Sequence, residues 1–331
     1  MLLLKTLANY TWAWLKIPFL VPKPVQLQIE PSSICNLRCR MCNLNKNKGK
    51  DFILKLSNYQ KILQQLTPLK SINLTGVGES LINPNLTKLI KIAKSKDISV
   101  SLITNAQLLN KKLIKKIIDS KIDIISISME SGIAKTYQSI RLGASFKKLK
   151  ENCQNLVNYN RQQQQQTEIY INILLSQQNI DNLQHIFTII DFAKQIGISN
   201  ITCQNAHDIR STKMDNYYFN KNDLLNRKFQ QTKEYAQKAN IKIQLPATKI
   251  KKNSCYYPWV YPQITSSGQL LPCCVLPQFA NYSQIVKKFS WGNLNKQNFK
   301  TAWNNQSAYK FRKQFKNNPY CQHCSKYLGI L

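Results

Sequence analysis

The chain has 331 residues, 43% of them hydrophobic and 10% aromatic, which is enough apolar material for one large domain or a large and a small one and excludes a disordered chain. Its formal net charge of +32 comes from 47 basic and 15 acidic residues, but the lysines are scattered and only seven basic residues are Arg. With no basic stretch interleaved with stacking aromatics, the charge reads as a solvated surface, and no specific nucleic-acid partner is expected.

The first twenty residues are apolar but broken by Lys5 and Lys16, carry no small-residue cleavage site, and form too short an apolar run to span a bilayer. Residues 1–24 therefore read as a cap packed on the main domain. The alternative use of Trp12, Trp14, Leu15, Phe19 and Leu20 is a weak peripheral membrane contact. Ten cysteines without a secretory signal point to metal in a cytoplasmic protein rather than to disulfides.

From residue 25 to 206 strand-like and helix-like stretches alternate. Val25–Glu30, Lys70–Thr75, Ile98–Leu102, Ile122–Met129 and Glu168–Ile173 show period-two patterning, and Ile198–Cys203 is a weaker sixth. Between them Leu86, Leu89, Ile90 and Ala93 share a helical face, as do Leu109, Leu113 and Ile117; Phe146, Leu149, Cys153 and Leu156; and Leu183, Ile186, Phe187 and Ile190. Such repeats imply an α/β fold with a parallel sheet and right-handed crossovers. The strands carry short polar residues on one face: Gln26, Gln28 and Glu30; Ser71, Asn73 and Thr75; Ser99 and Ser101; Ser126, Ser128 and Glu130. A filled barrel would put bulky branched residues there. The pattern instead predicts an open or incomplete barrel whose polar faces line a ligand-filled interior.

Residues 207–254 are rich in Lys and Asn, with one helix expected near Asp223–Ala239, and read as a bridge. From Cys255 to the last residue, 331, the composition turns to Pro, Gly, Trp and five cysteines, which predicts a small domain built around a metal. Ser266-Ser267-Gly268 marks a hairpin turn between Gln263–Thr265 and Gln269–Leu271, and a last helix is expected over Ala308–Phe315.

Cys35-Asn-Leu-Arg-Cys39-Arg-Met-Cys42 follows directly on the first strand. A four-iron cluster closes with four ligands; three thiolates leave one iron open, as a catalytic site requires. Alternatives are a zinc knuckle short of one ligand or three unrelated buried thiols. Cys153 reads as helix core and Cys203 as a small buried hydrophobe at the end of the sixth strand.

The C-x3-C-x2-C run resembles the signature of the radical S-adenosylmethionine (SAM) superfamily. Further stretches extend the resemblance: Thr75-Gly76-Val77-Gly78-Glu79-Ser80 at the end of the second strand, Thr104-Asn105-Ala106 at the third, Ile127-Ser128-Met129-Glu130 at the fourth, then Tyr137 to Gly143 with Arg141. The resemblance implies a partial (β/α)6 barrel of TIM type, with Cys35, Cys39 and Cys42 holding a [4Fe–4S] cluster. Gly76, Gly78, Glu79, Asn105, Ser128, Glu130 and Arg141 would contact SAM, Glu79 meeting its amino group and Arg141 its carboxylate. Val77, Ser80, Ala106 and Glu130 depart from the family's Gly, Pro, Gly and Asp.

Cys255-x12-Gly268-x4-Cys273, Trp291-Gly-Asn-Leu294, Ala302-Trp303-Asn304, Arg312 and Cys321-Gln-His-Cys324 resemble the family's SPASM or twitch domain. That resemblance implies an auxiliary [4Fe–4S] cluster on Cys255, Cys273, Cys321 and Cys324, the alternative being structural zinc, with Cys274 as a spare. The implied protein is a radical SAM oxidoreductase or maturase fed by an external electron donor of flavodoxin or ferredoxin type, its auxiliary cluster accepting the substrate's electron. Its substrate is a small molecule such as a sugar, or a peptide; with strand one starting near residue 25, the expectation leans to a small molecule or to a peptide brought by a separate partner. Alternatives are an RNA-modifying radical enzyme and a non-enzymatic iron–sulfur electron carrier.

Overall fold

In the computed structural model, residues 2–42, 51–66, 69–164, 166–205, 222–249, 255–279 and 281–328 are described. The strands are β1 (Gln26–Ile29), β2 (Ser71–Leu74), β3 (Ser99–Thr104), β4 (Ile124–Ser128), β5 (Glu168–Leu175), β6 (Asn200–Asn205), β7 (Lys242–Gln244), β8 (Gln263–Ile264) and β9 (Leu270–Leu271). They form one sheet in the order β7-β6-β5-β4-β3-β2-β1-β8-β9, parallel except for the antiparallel β8–β9 hairpin.

The period-two pattern sets the two faces of the sheet. Register aligns Leu27 with Ile72 and Val100, and Ile127 with Ile171 and Ile201. These side chains are buried against the outer helices. The helices are α1 (Leu2–Leu15), α2 (Leu56–Gln65), α3 (Leu86–Lys94), α4 (Lys111–Ile118), α5 (Ala134–Ile140), α6 (Phe146–Gln162), α7 (Gln177–Asp181), α8 (Gln184–Ile196) and α9 (Asn222–Lys238). On the other face Gln28 aligns with Asn73, and Asn73 with Ser101; Ser128 aligns with Asn172, and Asn172 with Thr202. This polar row lines the lumen of a partial barrel.

Helix caps follow the sequence. Asn110 accepts from the Leu113 amide to start α4, Ser145 accepts from Lys148 to start α6, and Gly197, at φ 84°, closes α8. α4 begins only after Asn110, so Leu109 lies ahead of it, buried, while the helix buries Ile114, Ile117 and Ile118 and leaves Leu113 half-buried against the core. Of the bridge, residues 207–221 and 250–254 lie outside the described residues. The rest carries α9 and then β7, an unforeseen seventh parallel strand.

The C-terminal region adds α10 (Tyr257–Val260), α11 (Tyr282–Phe289), α12 (Phe299–Trp303), α13 (Gln306–Gln314), α14 (Pro319–Gln322) and α15 (Ser325–Leu328). It is not set apart from the barrel: β8 pairs with β1 and continues the sheet. The N-terminal segment packs on this region rather than on the main barrel, which corrects the expected placement of the cap. The Trp259 indole N–H donates to Ile17 O (2.6 Å) and that of Trp303 to Pro22 O (3.0 Å), and Asn304 Oδ1 accepts from the Val21 amide (2.8 Å).

Arg312 is the keystone here. It is 1% exposed, its guanidinium lies 4.7 and 4.3 Å from the Trp291 and Trp303 rings, and it donates to the carbonyls of Pro258 and Trp303, each at 2.9 Å. Burial pushes its pKa down, and the two indole faces and two carbonyls offset that cost. A lysine cannot stack flat between two rings while reaching two separate carbonyls. Arg312→Lys should therefore cost about 2–4 kcal/mol and lower the melting temperature by several degrees. An unchanged melting curve would refute the keystone role.

Candidate active site and cysteine cavities

The C-terminal ends of β1–β6 surround a cavity of about 270 Å³ that Cys35, Cys39, Cys42, Gly76, Gly78, Glu79, Asn105, Ser128, Glu130 and Arg141 all help to line. Every core residue singled out from the sequence is thus brought to one space. Burial pushes the Cys35 thiol up to about 11 and the Cys39 thiol up to about 12. Both are therefore protonated at neutral pH until a metal displaces the proton.

The loop carrying the cysteines is held from outside. Arg38 and Arg40 donate their backbone amides to the carbonyls of Leu142 and Ile140, at 3.0 and 2.9 Å. The stretch from Tyr137 to Gly143 is therefore a buttress for the triad. Arg141 forms a bidentate pair with Glu130, Nε–Oε2 2.5 Å and Nη2–Oε1 2.7 Å, while Nη1 stands 3.9 Å from Cys39 Sγ. The arginine implied for the SAM carboxylate already has a carboxylate partner in the chain.

Glu79 is likewise engaged. Its carboxylate accepts from Thr104 Oγ1 (2.8 Å) and from the amides of Asn105 (2.9 Å) and Leu81 (3.2 Å). It buckles the loop after β2 to the end of β3, and burial raises its pKa against those donors. Asn105 Nδ2 lies 2.9 Å from Asn36 Oδ1 and 3.9 Å from Cys35 Sγ. Ala106, where the family has Gly, adopts φ 58°, held by Thr104 Oγ1 at its amide and Asn152 Nδ2 at its carbonyl.

Both loop glycines are dictated by close approach. A Cβ on Gly76 would stand 2.2 Å from Glu30 Cγ, and one on Gly78 would stand 2.3 Å from the Ser32 carbonyl. Glu30 is fully buried; Oε1 accepts from the Val77 amide (3.0 Å), and Oε2 from the Ser266 amide (3.0 Å), Ser266 Oγ (2.9 Å) and Tyr282 OH (2.9 Å). One carboxylate thus ties β1, the glycine loop and the C-terminal region together. Sequence reasoning placed Glu30 on the polar face but gave it no partner.

Asn172, Gln204 and Gln278 also line the cavity and were missed. The first two sit on the lumen face of β5 and β6, where the alternation could have found them. A second chamber of about 210 Å³ adjoins it, lined by Gln28, Asn73, Asn205, Gln263, Tyr257, Tyr261 and Cys274 among others. Among the described residues, Asn73 Oδ1, Asn172 Oδ1 and Gln263 Nε2 are buried in this lumen without a hydrogen-bond partner.

Cys255, Cys273, Cys321 and Cys324 line a separate small cavity with Phe279, Phe311, Phe315 and Tyr320, while Cys274 faces the lumen chamber instead. Burial raises the pKa of the Cys255, Cys273 and Cys321 thiols. Among the described residues no three His, Cys, Asp or Glu converge tightly enough to hold a single metal ion. Each cysteine set lines a cavity with thiols, the donor type that an iron–sulfur cluster takes. Cys153 and Cys203 are buried in the helix-facing core.

The family model for the radical SAM superfamily matches residues 29–200, and that for an iron–sulfur cluster-binding (SPASM) domain matches residues 255–325. The tungsten-containing aldehyde ferredoxin oxidoreductase cofactor-modifying protein of Pyrococcus furiosus is 21% identical over 318 residues, 90% of this chain and 86% of that protein. The antilisterial bacteriocin subtilosin biosynthesis protein AlbA of Bacillus subtilis is 21% identical, across 92% of this chain and 65% of its own length. Streptococcus suis SuiB bound to its precursor peptide SuiA superposes with a TM-score of 0.72 at 20% identity, over 98% of this chain and 74% of that one. The AdoMet-bound anSMEcpe does so at 0.65 and 16%, over 93% and 88%. Cysteine triad, glycine loop, lumen and second cysteine cavity thus occur together in a chain that belongs to the radical SAM superfamily, whose members are enzymes using a [4Fe–4S] cluster and SAM, and that carries a SPASM domain for auxiliary iron–sulfur.

Proposed function

We propose that the chain cleaves SAM at a [4Fe–4S] cluster on Cys35, Cys39 and Cys42 and modifies a peptide held in the lumen. Cys255, Cys273, Cys321 and Cys324 would hold an auxiliary [4Fe–4S] cluster that takes the electron left on the substrate. When bound, the first cluster supplies the electron that breaks the carbon–sulfur bond of SAM and so generates the hydrogen-abstracting radical. The chain's own residues prepare the site. Glu30 and Glu79 fix the glycine loop, so its backbone meets a ligand without reorganising. Glu130 neutralises Arg141 beside Cys39. Ile103 and Leu174 supply apolar wall to both chambers of the lumen.

The observation that carries the peptide reading is the carboxamide lining. Orphaned buried amide atoms cost free energy until a ligand meets them. Each carboxamide offers both a donor and an acceptor, so the fitting ligand offers both too, as a peptide backbone does along its whole length. That AlbA and SuiB are by name a bacteriocin biosynthesis protein and a protein bound to a precursor peptide agrees with this reading.

The test is anaerobic reconstitution, dithionite and SAM, with 5′-deoxyadenosine measured alone, with a pool of short blocked peptides, and with a pool of sugars and amino sugars. Basal cleavage is expected, stimulated by the peptides. Stimulation by the sugars alone would sink the peptide reading, and no 5′-deoxyadenosine at all would sink the SAM-cleaving assignment. Asn73→Leu with Gln263→Leu should abolish the stimulation and keep basal cleavage, because the carboxamides that would meet the peptide are removed from the lumen.

A further inference from the structure

We propose that the N-terminal segment is a docking surface for an anionic lipid bilayer. Six of the large apolar side chains exposed in the described residues fall within fourteen positions: Leu7, Tyr10, Trp14, Leu15, Phe19 and Leu20. Trp14 is 80% exposed and Leu20 75%. Tyr256, also exposed, stacks edge-on against Tyr10 at 6.3 Å and extends the patch onto the C-terminal region. Isolated exposed hydrophobes are ordinary, but a contiguous group of this kind marks an interaction site.

The segment is not a frayed end. Its inner side is buried through Ala13 and Val21. The Trp12 indole donates to the Phe19 carbonyl (3.0 Å), and the Ile17 amide to the Trp12 carbonyl (3.0 Å). Lys16 and Leu20 both sit in the left-handed region, at φ 55° and 49°, which bends the chain into a corner that presents Phe19 and Leu20 outward. Bulky residues seldom adopt that conformation.

Charge selects the occupant. The chain carries +32, so a second copy of itself is repelled over most of its surface. Close to the patch, the Lys16 ammonium donates to the Cys255 carbonyl (2.5 Å), and Lys316 lies near enough to repel it. Lys313 and Lys316 are exposed. A protruding Trp, Tyr, Phe and Leu surface beside lysines is what the headgroup region of an anionic bilayer takes up, the rings entering the interface and the ammonium groups meeting phosphates. Among the described residues no helix is long and apolar enough to cross a membrane, so the contact lies in the interface plane.

The test uses the full reconstituted protein with vesicles of phosphatidylcholine alone or mixed with phosphatidylglycerol. Trp14 is the exposed one among five tryptophans, so its emission should shift to the blue on binding. Co-sedimentation with the anionic vesicles should exceed that with phosphatidylcholine and fall with salt. The variant Trp14→Ser, Leu15→Ser, Phe19→Ser, Leu20→Ser should bind at least about ten-fold more weakly, with iron content and basal SAM cleavage unchanged. Failure of the wild type to bind anionic vesicles, equal binding by the variant, or equal binding to both vesicle types would overturn the proposal. So would a wild-type dimer that the variant loses, since the patch would then be covered by a second copy.

Discussion

Replacing Cys35, Cys39 and Cys42 together with alanine should reduce 5′-deoxyadenosine formation to background and remove half of the iron, from about eight atoms per chain to about four. The three thiols line one cavity at the end of β1, with the Arg141–Glu130 pair against Cys39 and Asn105 against Cys35. No other described cysteine reaches that cavity. Cys153→Ala serves as the control, because its thiol is buried on the core face of α6 and should leave iron and turnover intact. The complementary replacement of Cys255, Cys273, Cys321 and Cys324 should also halve the iron while leaving the triad loaded. Four irons and one zinc in the wild type would replace the auxiliary cluster by a structural zinc site. A triple variant that still makes 5′-deoxyadenosine would remove the triad from the chemistry.

The two cysteine sets differ in how they were legible. The triad is local: eight residues of sequence define it, and six period-two strands give the lumen it faces. Strand β5 runs from Glu168 to Leu175 against an expected Glu168–Ile173, and the ends of the other five barrel strands shift by one or two residues. What sequence could not give is long-range. Strand β7 has three residues, with Ile243 as its one apolar side chain, so alternation has nothing to register. The pairing of β8 with β1 joins positions 235 residues apart, as Gln28 and Gln263 are, and leaves no local trace. For the same reason Ser266 and Tyr282 could not be read as partners of Glu30, although Glu30 itself stood out as an acid on a polar strand face. Arg141 and Glu79 were expected to face a ligand, and their first partners prove to be groups of the chain itself.

Glu30→Gln tests whether that long-range link serves the SAM site. The carboxylate receives four hydrogen bonds and gives none. Burial pushes its pKa up, while all four donors favour the anion. An amide replaces one acceptor oxygen by a donor. If the new N–H₂ faces Ser266 and Tyr282, it opposes a backbone N–H that cannot turn away and displaces two hydroxyls. If it faces Val77, it opposes a single backbone N–H. The second arrangement costs less, so the loss should fall on the glycine loop rather than on the C-terminal region. Leaving one buried donor unsatisfied and removing charge-assisted bonds costs about 2–4 kcal/mol. In a chain of this size that is a drop of roughly 3–6 °C in melting temperature. The expected signature is selective: a raised KM for SAM, with both clusters still assembled and the β8–β9 hairpin still protected from hydrogen exchange. Glu30→Asp should fare no better, because the shortened side chain withdraws from Val77 and loses the Cγ methylene that packs against Gly76. If Glu30→Gln instead lowers the melting temperature but leaves the KM for SAM unchanged, the carboxylate is a structural staple alone. If neither moves, the four hydrogen bonds are energetically idle.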